Sequence, residues 1–168
     1  MRAILVDWII EVHLKFKLLP ETLFITINLI DRYLSIVSIK RNSLQLVGVT
    51  AMFIASKYEE IYAPEVRDFV YITDNAYSKT EIFEMEHSML FALNFNVASC
   101  TPYRFLERFY KVASESPRLW NLVRYLIELP LIEQRMLKYT PSNLAASAVY
   151  LGLKILYGNQ VEWTSELQ

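Results

Sequence analysis

Three charged residues stand on helical faces that otherwise carry apolar side chains. In 78–93, Ile82, Met89, Leu90 and Leu93 recur at helical spacing, and Glu86 projects into the middle of their stripe. Asp31 lies between Phe24 and Ile27 on the buried arc of its own segment, and Lys57 ends the apolar run SLQLVGVTAMFIASKY at 43–58. A carboxylate on an apolar face must be paired, or must sit where the stripe meets a partner. Lys57 alone reads equally as a last-turn cation favoured by the helix dipole. Together with Glu86 it reads as half of a polar clamp, the chemistry of recognition by charge-assisted hydrogen bonds.

The inventory for bond-making chemistry is thin. His13 and His87 are the only histidines, and there is no HExxH, no Gly-rich phosphate loop and no G-x-S-x-G elbow. The single cysteine, Cys100, reads as a small buried residue rather than a nucleophile. The expectation is a chain that is not an enzyme, with no metal site and no cofactor.

The elements that must hold these charges are helices. Only three glycines and six prolines occur in 168 residues, and apolar positions recur at three and four rather than two. Helices are predicted near 2–17, 21–38, 43–58, 65–71, 78–93, 102–114, 118–130 and 141–156. Their starts are marked by the capping box Ser78-x-x-Glu81 and by Thr101-Pro102, Ser116-Pro117 and Thr140-Pro141. Pro130 should kink or end its helix. The segment 43–58 is apolar on every side, as befits a central helix wrapped by neighbours, with Gly48, Ala51 and Ala55 allowing close approach.

Shifted by 97 positions without a gap, 20–57 lies over 117–154: Pro20 meets Pro117, NLIDRYL meets YLIELPL, and GVTAMFIASK meets AASAVYLGLK. The match of small, large and proline positions implies two similar helical bundles joined near 94–101. The opening stretch MRAILVDWIIEV carries two apolar arcs. Met1, Ile4, Leu5, Trp8 and Val12 form one; Ala3, Val6, Ile10 and Leu14 form the other. Composition alone favours burying both arcs in a multilayer bundle.

The strings MRAILVDW, ETLFITINLIDRYLS, LQLVGVTAMFIASKYEEIYAPEV and FVYITDNAYSK, in this order and spacing, resemble the cyclin box of the mitotic B-type cyclins. The resemblance implies an all-α cyclin fold: a complete five-helix box at 1–95, then the first part of a second box at 96–168, whose central helix (141–156) would lack two covering neighbours. It further implies an activating subunit of a cyclin-dependent kinase that controls entry into mitosis, in nucleus and cytoplasm. By resemblance, Lys57 and Glu86 match the pair that hydrogen-bonds the kinase backbone leading into its αC helix, and Glu60 and Phe95 match further contacts on that face. Arg2 and Asp31 match an internal ion pair. Met1, Ile4, Leu5 and Trp8, with Gln45, match a hydrophobic patch for substrates or inhibitors bearing an Arg-x-Leu motif, whose arginine Glu11 and Asp74 would receive. On that reading one arc of MRAILVDWIIEV is a docking groove.

Charge and hydropathy narrow the partners. Net charge is −1 and no basic cluster exceeds Lys40-Arg41, so no nucleic-acid partner is expected. That argues against the alternative, a transcription-factor-IIB-like double cyclin fold on DNA. The longest uncharged runs, 43–56 and 139–153, are too short to span a bilayer, and no signal peptide or membrane partner is expected. A lone cysteine fits a reducing compartment.

Overall fold

The structure, a computed structural model, describes residues 1–113 and 116–158. The described residues contain helices and turns and no strand, and the chain divides into two compact units, Met1–Ser99 and Cys100–Gln168.

The first unit is built from α1 (Arg2–Phe16), α2 (Pro20–Ile36), a 3-10 turn (Arg41–Ser43), α3 (Leu44–Glu59), α4 (Val66–Ile72) and α5 (Lys79–Ala92). α3 is the axis. Every residue from Leu46 to Ser56 is buried, because α1, α2, α4 and α5 pack around it. A helix without a polar face is stable in water only when wrapped in this way. Local signals fix the ends. Ser78 Oγ accepts from the Glu81 N–H, and Glu81 Oε2 accepts from the Ser78 N–H at 2.8 Å. The bond from the Ser78 N–H and, after it, one from the Ser78 hydroxyl to the same oxygen hold the Glu81 carboxyl below its ordinary range. A second capping box, Glu65 with Asp68, starts α4.

The second unit holds α6 (Pro102–Ala113), α7 (Pro117–Glu128), 3-10 turns at Leu129–Leu131 and Gln134–Lys138, and α8 (Pro141–Tyr157). The internal repeat reappears as geometry: α2 and α7 start 97 residues apart, and so do α3 and α8. α6 and α7 pack on α8 over Ala145, Ala148, Val149, Gly152 and Leu153, while Leu151, Ile155 and Tyr157 are exposed. Thr101 and Thr140 accept capping bonds from the backbone of Arg104 and Asn143.

Several expectations are corrected. Ser116 occupies the N-cap of α7, yet its hydroxyl makes no capping bond. α7 ends at Glu128 rather than at 130, while the expectation that Pro130 ends the helix holds: it lies in the 3-10 turn that follows, since proline offers no N–H to continue the α-helix. Cys100, expected to be buried, is exposed, on the non-helical stretch between α5 and α6. The residue expected to close the helix near 114 lies outside the described residues.

The largest correction concerns α1. Its buried face is Leu5, Val6, Ile9, Val12 and His13. Val12, expected on the outward arc, therefore belongs to the core, while Ala3 and Leu14, expected inside, are exposed and Ile10 is half-buried. The reason is angular: the inward arc is centred between the two apolar arcs, so each arc contributes one edge to the core and turns the other outward.

Candidate interaction surfaces

Two surfaces of the first unit gather the charged and apolar residues singled out above. The first is formed by α3 and α5. Lys57, in the last turn of α3, donates from Nζ to Oε1 of Glu86 on α5. The Glu86 side chain is only 14% exposed and that of Lys57 45%, so the pair sits at the rim of the packed α3–α5 contact. Ile82 and Met89 are fully buried and Leu93 nearly so, which explains why an acid one turn from Ile82 and Met89 and two from Leu93 had to find a cation. An ammonium has three N–H donors and a carboxylate two acceptor oxygens, so the closed pair still presents a donor and an acceptor side by side. A peptide group presents the complementary carbonyl and N–H.

Beside this pair runs an apolar ridge. The His87 and Phe91 rings lie 5.0 Å apart and the Phe91 and Phe95 rings 6.0 Å apart, and both phenylalanines are exposed. The end of α5 places Phe95. The Asn94 N–H reaches the Phe91 carbonyl at 3.1 Å and the Phe95 N–H reaches the Leu90 carbonyl at 2.8 Å, the Schellman pattern, with Asn94 left-handed at φ 50°. Phe95 is also left-handed, at φ 56°, a conformation costly for a bulky residue. Its ring is 63% exposed and meets that of Phe91, so this backbone turn presents an aromatic to the outside. Leu90, read from the sequence as part of the core stripe, is half-buried beside this ridge.

Glu60 faces inward. Its Oε1 accepts from the Leu19 N–H at 2.7 Å and from Thr22 Oγ1 at 2.6 Å, so it ties the end of α3 to the start of α2. It accepts from the N–H of Leu19, the N-cap residue, as the N3 carboxylate of a capping box would.

The second surface is a groove of about 260 Å³ lined by Met1, Ile4, Leu5 and Trp8 from α1, Arg41 from the 3-10 turn, and Leu44 and Gln45 from α3. Leu5 forms its floor at 7% exposure, and Ile4, 72% exposed, stands on its wall. Arg41 and Leu44 are lining residues that sequence reasoning missed. The signal available was Gln45 alone, since nothing in the 36–43 connection announces that its 3-10 turn folds back towards α1. That turn is held by the Tyr77 hydroxyl, which donates to the Asn42 carbonyl at 2.9 Å, and burial raises the phenol's pKa.

Arg2 holds the groove's helix in place. Its Nε lies 2.6 Å from Asp31 Oδ1 and its Nη2 2.8 Å from Oδ2, a two-bond fork between the first turn of α1 and the last turns of α2. Glu11 and Asp74 are exposed acids. Asp74, left-handed at φ 53°, closes α4 through a 3.0 Å bond from its N–H to the Tyr71 carbonyl. The Tyr71 ring lies under Lys15 of α1, and Phe16 packs edge-on to Phe69, so the α4 end with Asp74 lies along the half of α1 that carries Glu11. Among the described residues no group of histidine, cysteine and acidic side chains could hold a metal ion, and no helix is long and apolar enough to cross a membrane.

Residues 1–98 match the family described as the cyclin N-terminal domain, and residues 100–168 that described as the cyclin C-terminal domain. A G2/mitotic-specific cyclin-B of Arbacia punctulata is 53% identical over 93% of this chain and 38% of its own length. A G2/mitotic-specific cyclin-B2 of Anguilla japonica is 50% identical over all of this chain and 42% of its own length. Cyclin-B2-2 of Arabidopsis thaliana is 51% identical over 98% of this chain and 38% of its own length. The chain thus spans 38 to 42% of these relatives. A crystal structure of a viral cyclin from herpesvirus saimiri superposes with a TM-score of 0.87 over 96% of this chain and 72% of that one, at 21% identity, a likeness of fold.

Proposed function

The chain belongs to the cyclin family, and from that premise we propose that it is a regulatory, non-enzymatic subunit of a cyclin-dependent kinase acting at entry into mitosis. The mitotic assignment follows the G2/mitotic-specific relatives at 50 to 53% identity. The observation that carries the kinase reading is the Lys57–Glu86 pair set beside the exposed rings of Phe91 and Phe95 at the rim where α5 packs on the buried helix α3.

In this reading the α3–α5 face meets the kinase segment leading into its αC helix. The rings of Phe91 and Phe95 supply apolar area, which is where affinity arises. Lys57 donates to a backbone carbonyl and Glu86 accepts from a backbone N–H, which fixes register more than it adds energy. Holding αC inward lets its glutamate pair with the lysine that positions ATP. The groove between α1 and α3 takes an extended peptide of Arg-x-Leu type: the leucine seats against Met1, Ile4, Leu5 and Trp8, and the arginine meets Glu11 and Asp74.

The test is to add the purified chain to a monomeric cyclin-dependent kinase and follow histone phosphorylation. The reading expects strong stimulation over the kinase alone; a kinase that neither binds the chain nor gains activity would reject it.

A further inference from the structure

We propose that Phe53 is a positioning residue: its ring holds the Lys57 ammonium beside Glu86, in the orientation that the kinase backbone meets. The proposal rests on the kinase reading of Lys57 and Glu86 given above, and adds to it the group that orients the cation.

Lys57 Nζ stands 4.1 Å from the centroid of the Phe53 ring, one helical turn earlier on α3, well inside the range in which an aromatic face attracts an ammonium. The same Nζ donates to Glu86 Oε1. Ring face and carboxylate approach the cation from different elements, so its position is fixed from two sides while a donor stays available to a third group.

The ring is itself closely packed. Phe53 is 6% exposed; it lies 5.4 Å from Phe69 of α4 at 63° and 6.2 Å from Phe83 of α5. Phe69, fully buried, is in turn 5.2 Å from Phe16 of α1 at 80°. Four helices thus set the plane on which one surface lysine rests.

The benefit is entropic. A lysine on a helix end normally surrenders several torsions when it is captured at an interface. Here folding has already restricted them, so the clamp meets the kinase preorganised. Leucine at position 53 would keep an apolar group against Phe69 and Phe83 but would lack the ring quadrupole that attracts the ammonium.

The experiment compares the parent, Phe53→Leu, Lys57→Ala and the double variant in titrations against a monomeric cyclin-dependent kinase, with Phe53→Tyr as the conservative rescue. In the free chain, NMR follows the Lys57 ε-methylene protons. Phe53→Leu should weaken kinase binding about three- to ten-fold, the range of a cation–π contact. It should cost nothing further in the Lys57→Ala background, and Phe53→Tyr should bind as the parent does. The Lys57 ε-methylene resonances, shifted upfield by the ring, should return to ordinary lysine values in Phe53→Leu. Equal losses from Phe53→Leu in both backgrounds, or unshifted resonances in the parent, would overturn the proposal. If Lys57→Ala binds the kinase as the parent does, the kinase reading fails instead, and the resonances alone decide whether Phe53 holds the cation.

Discussion

Gly48 of α3 and Leu5 of α1 are in contact, and the contact sets the floor of the groove. A Cβ built on Gly48 would stand 2.8 Å from Leu5 Cδ1 and 3.1 Å from Ile9 Cδ1. Gly48→Ala must therefore push the Leu5 side chain, the more yielding of the two helices' contents, towards the groove or lift α1 from α3. We expect an Arg-x-Leu peptide to bind about three- to thirty-fold more weakly, with a stability loss of about 1–3 kcal/mol from overpacking. Peptide titration and thermal melting measure the two effects; unchanged peptide affinity would detach the floor from the groove's function.

The burial pattern separates groove from core. Leu5 is 7% exposed, so truncating it tests packing as much as docking, whereas Met1 and Ile4 are 54% and 72% exposed. Met1→Ala with Ile4→Ala should leave melting within about 0.5 kcal/mol of the parent, as exposed substitutions do. Phosphorylation of an Arg-x-Leu substrate should fall, while activity on a short substrate without the motif should persist. Parallel losses on both substrates would place Ile4 in the kinase face or the core.

Asp31 accepts both arms of Arg2, and their side chains are 17% and 13% exposed. Asp31→Ala strips the guanidinium of this fork where water reaches it poorly, and should cost about 1–3 kcal/mol. Because the fork anchors the first turn of α1, the loss should appear in hydrogen exchange of that turn before the rest of the bundle. Chemical denaturation showing no loss would make the pair ornamental.

Much of this architecture is legible from residue order. Pro20 and Pro117, Ser78 with Glu81, and the apolar run ending at Lys57 mark element starts and the central helix because each depends on local stereochemistry or on burial on all sides. The faces of α1 were not legible. Leu14 and Val12 are both apolar, and only the packing of α1 onto Gly48 decides that Val12 enters the core and Leu14 faces outward. Arg41 and Leu44 escaped for a related reason: a 3-10 turn held by Tyr77, 35 residues away, brings them to α1. Glu86 and Lys57 were legible as a pair, since a charge on an apolar stripe demands a partner. The platform under Lys57 was not, because Phe53 also satisfies the core pattern.

The repeat sets Glu128 in the place of Asp31, in a different environment. Burial pushes the Glu128 carboxyl above its ordinary value of 4.5, and Arg124 offsets this in part. A carboxyl whose pKa rises on folding binds its proton more tightly in the folded state, so stability falls as pH climbs through the interval above 4.5. Glu128→Gln should melt higher than the parent at pH near neutrality, with the advantage fading on acidification towards the unfolded value. A variant that melts lower at neutral pH would show that the charge on Glu128 is used.

In the proposed function Lys57 and Glu86 form the clamp offered to a kinase. Replacing both by alanine removes a rim ion pair worth about 0–1 kcal/mol to the fold, so helical content and melting should stay near those of the parent. Stimulation of a monomeric cyclin-dependent kinase, measured as histone phosphorylation against chain concentration, should require at least about ten-fold more of the double variant, because the kinase's backbone groups would be buried without partners. A double variant that stimulates at the parent's concentration, with its fold intact, would contradict the clamp and reduce Lys57 to a helix-end cation.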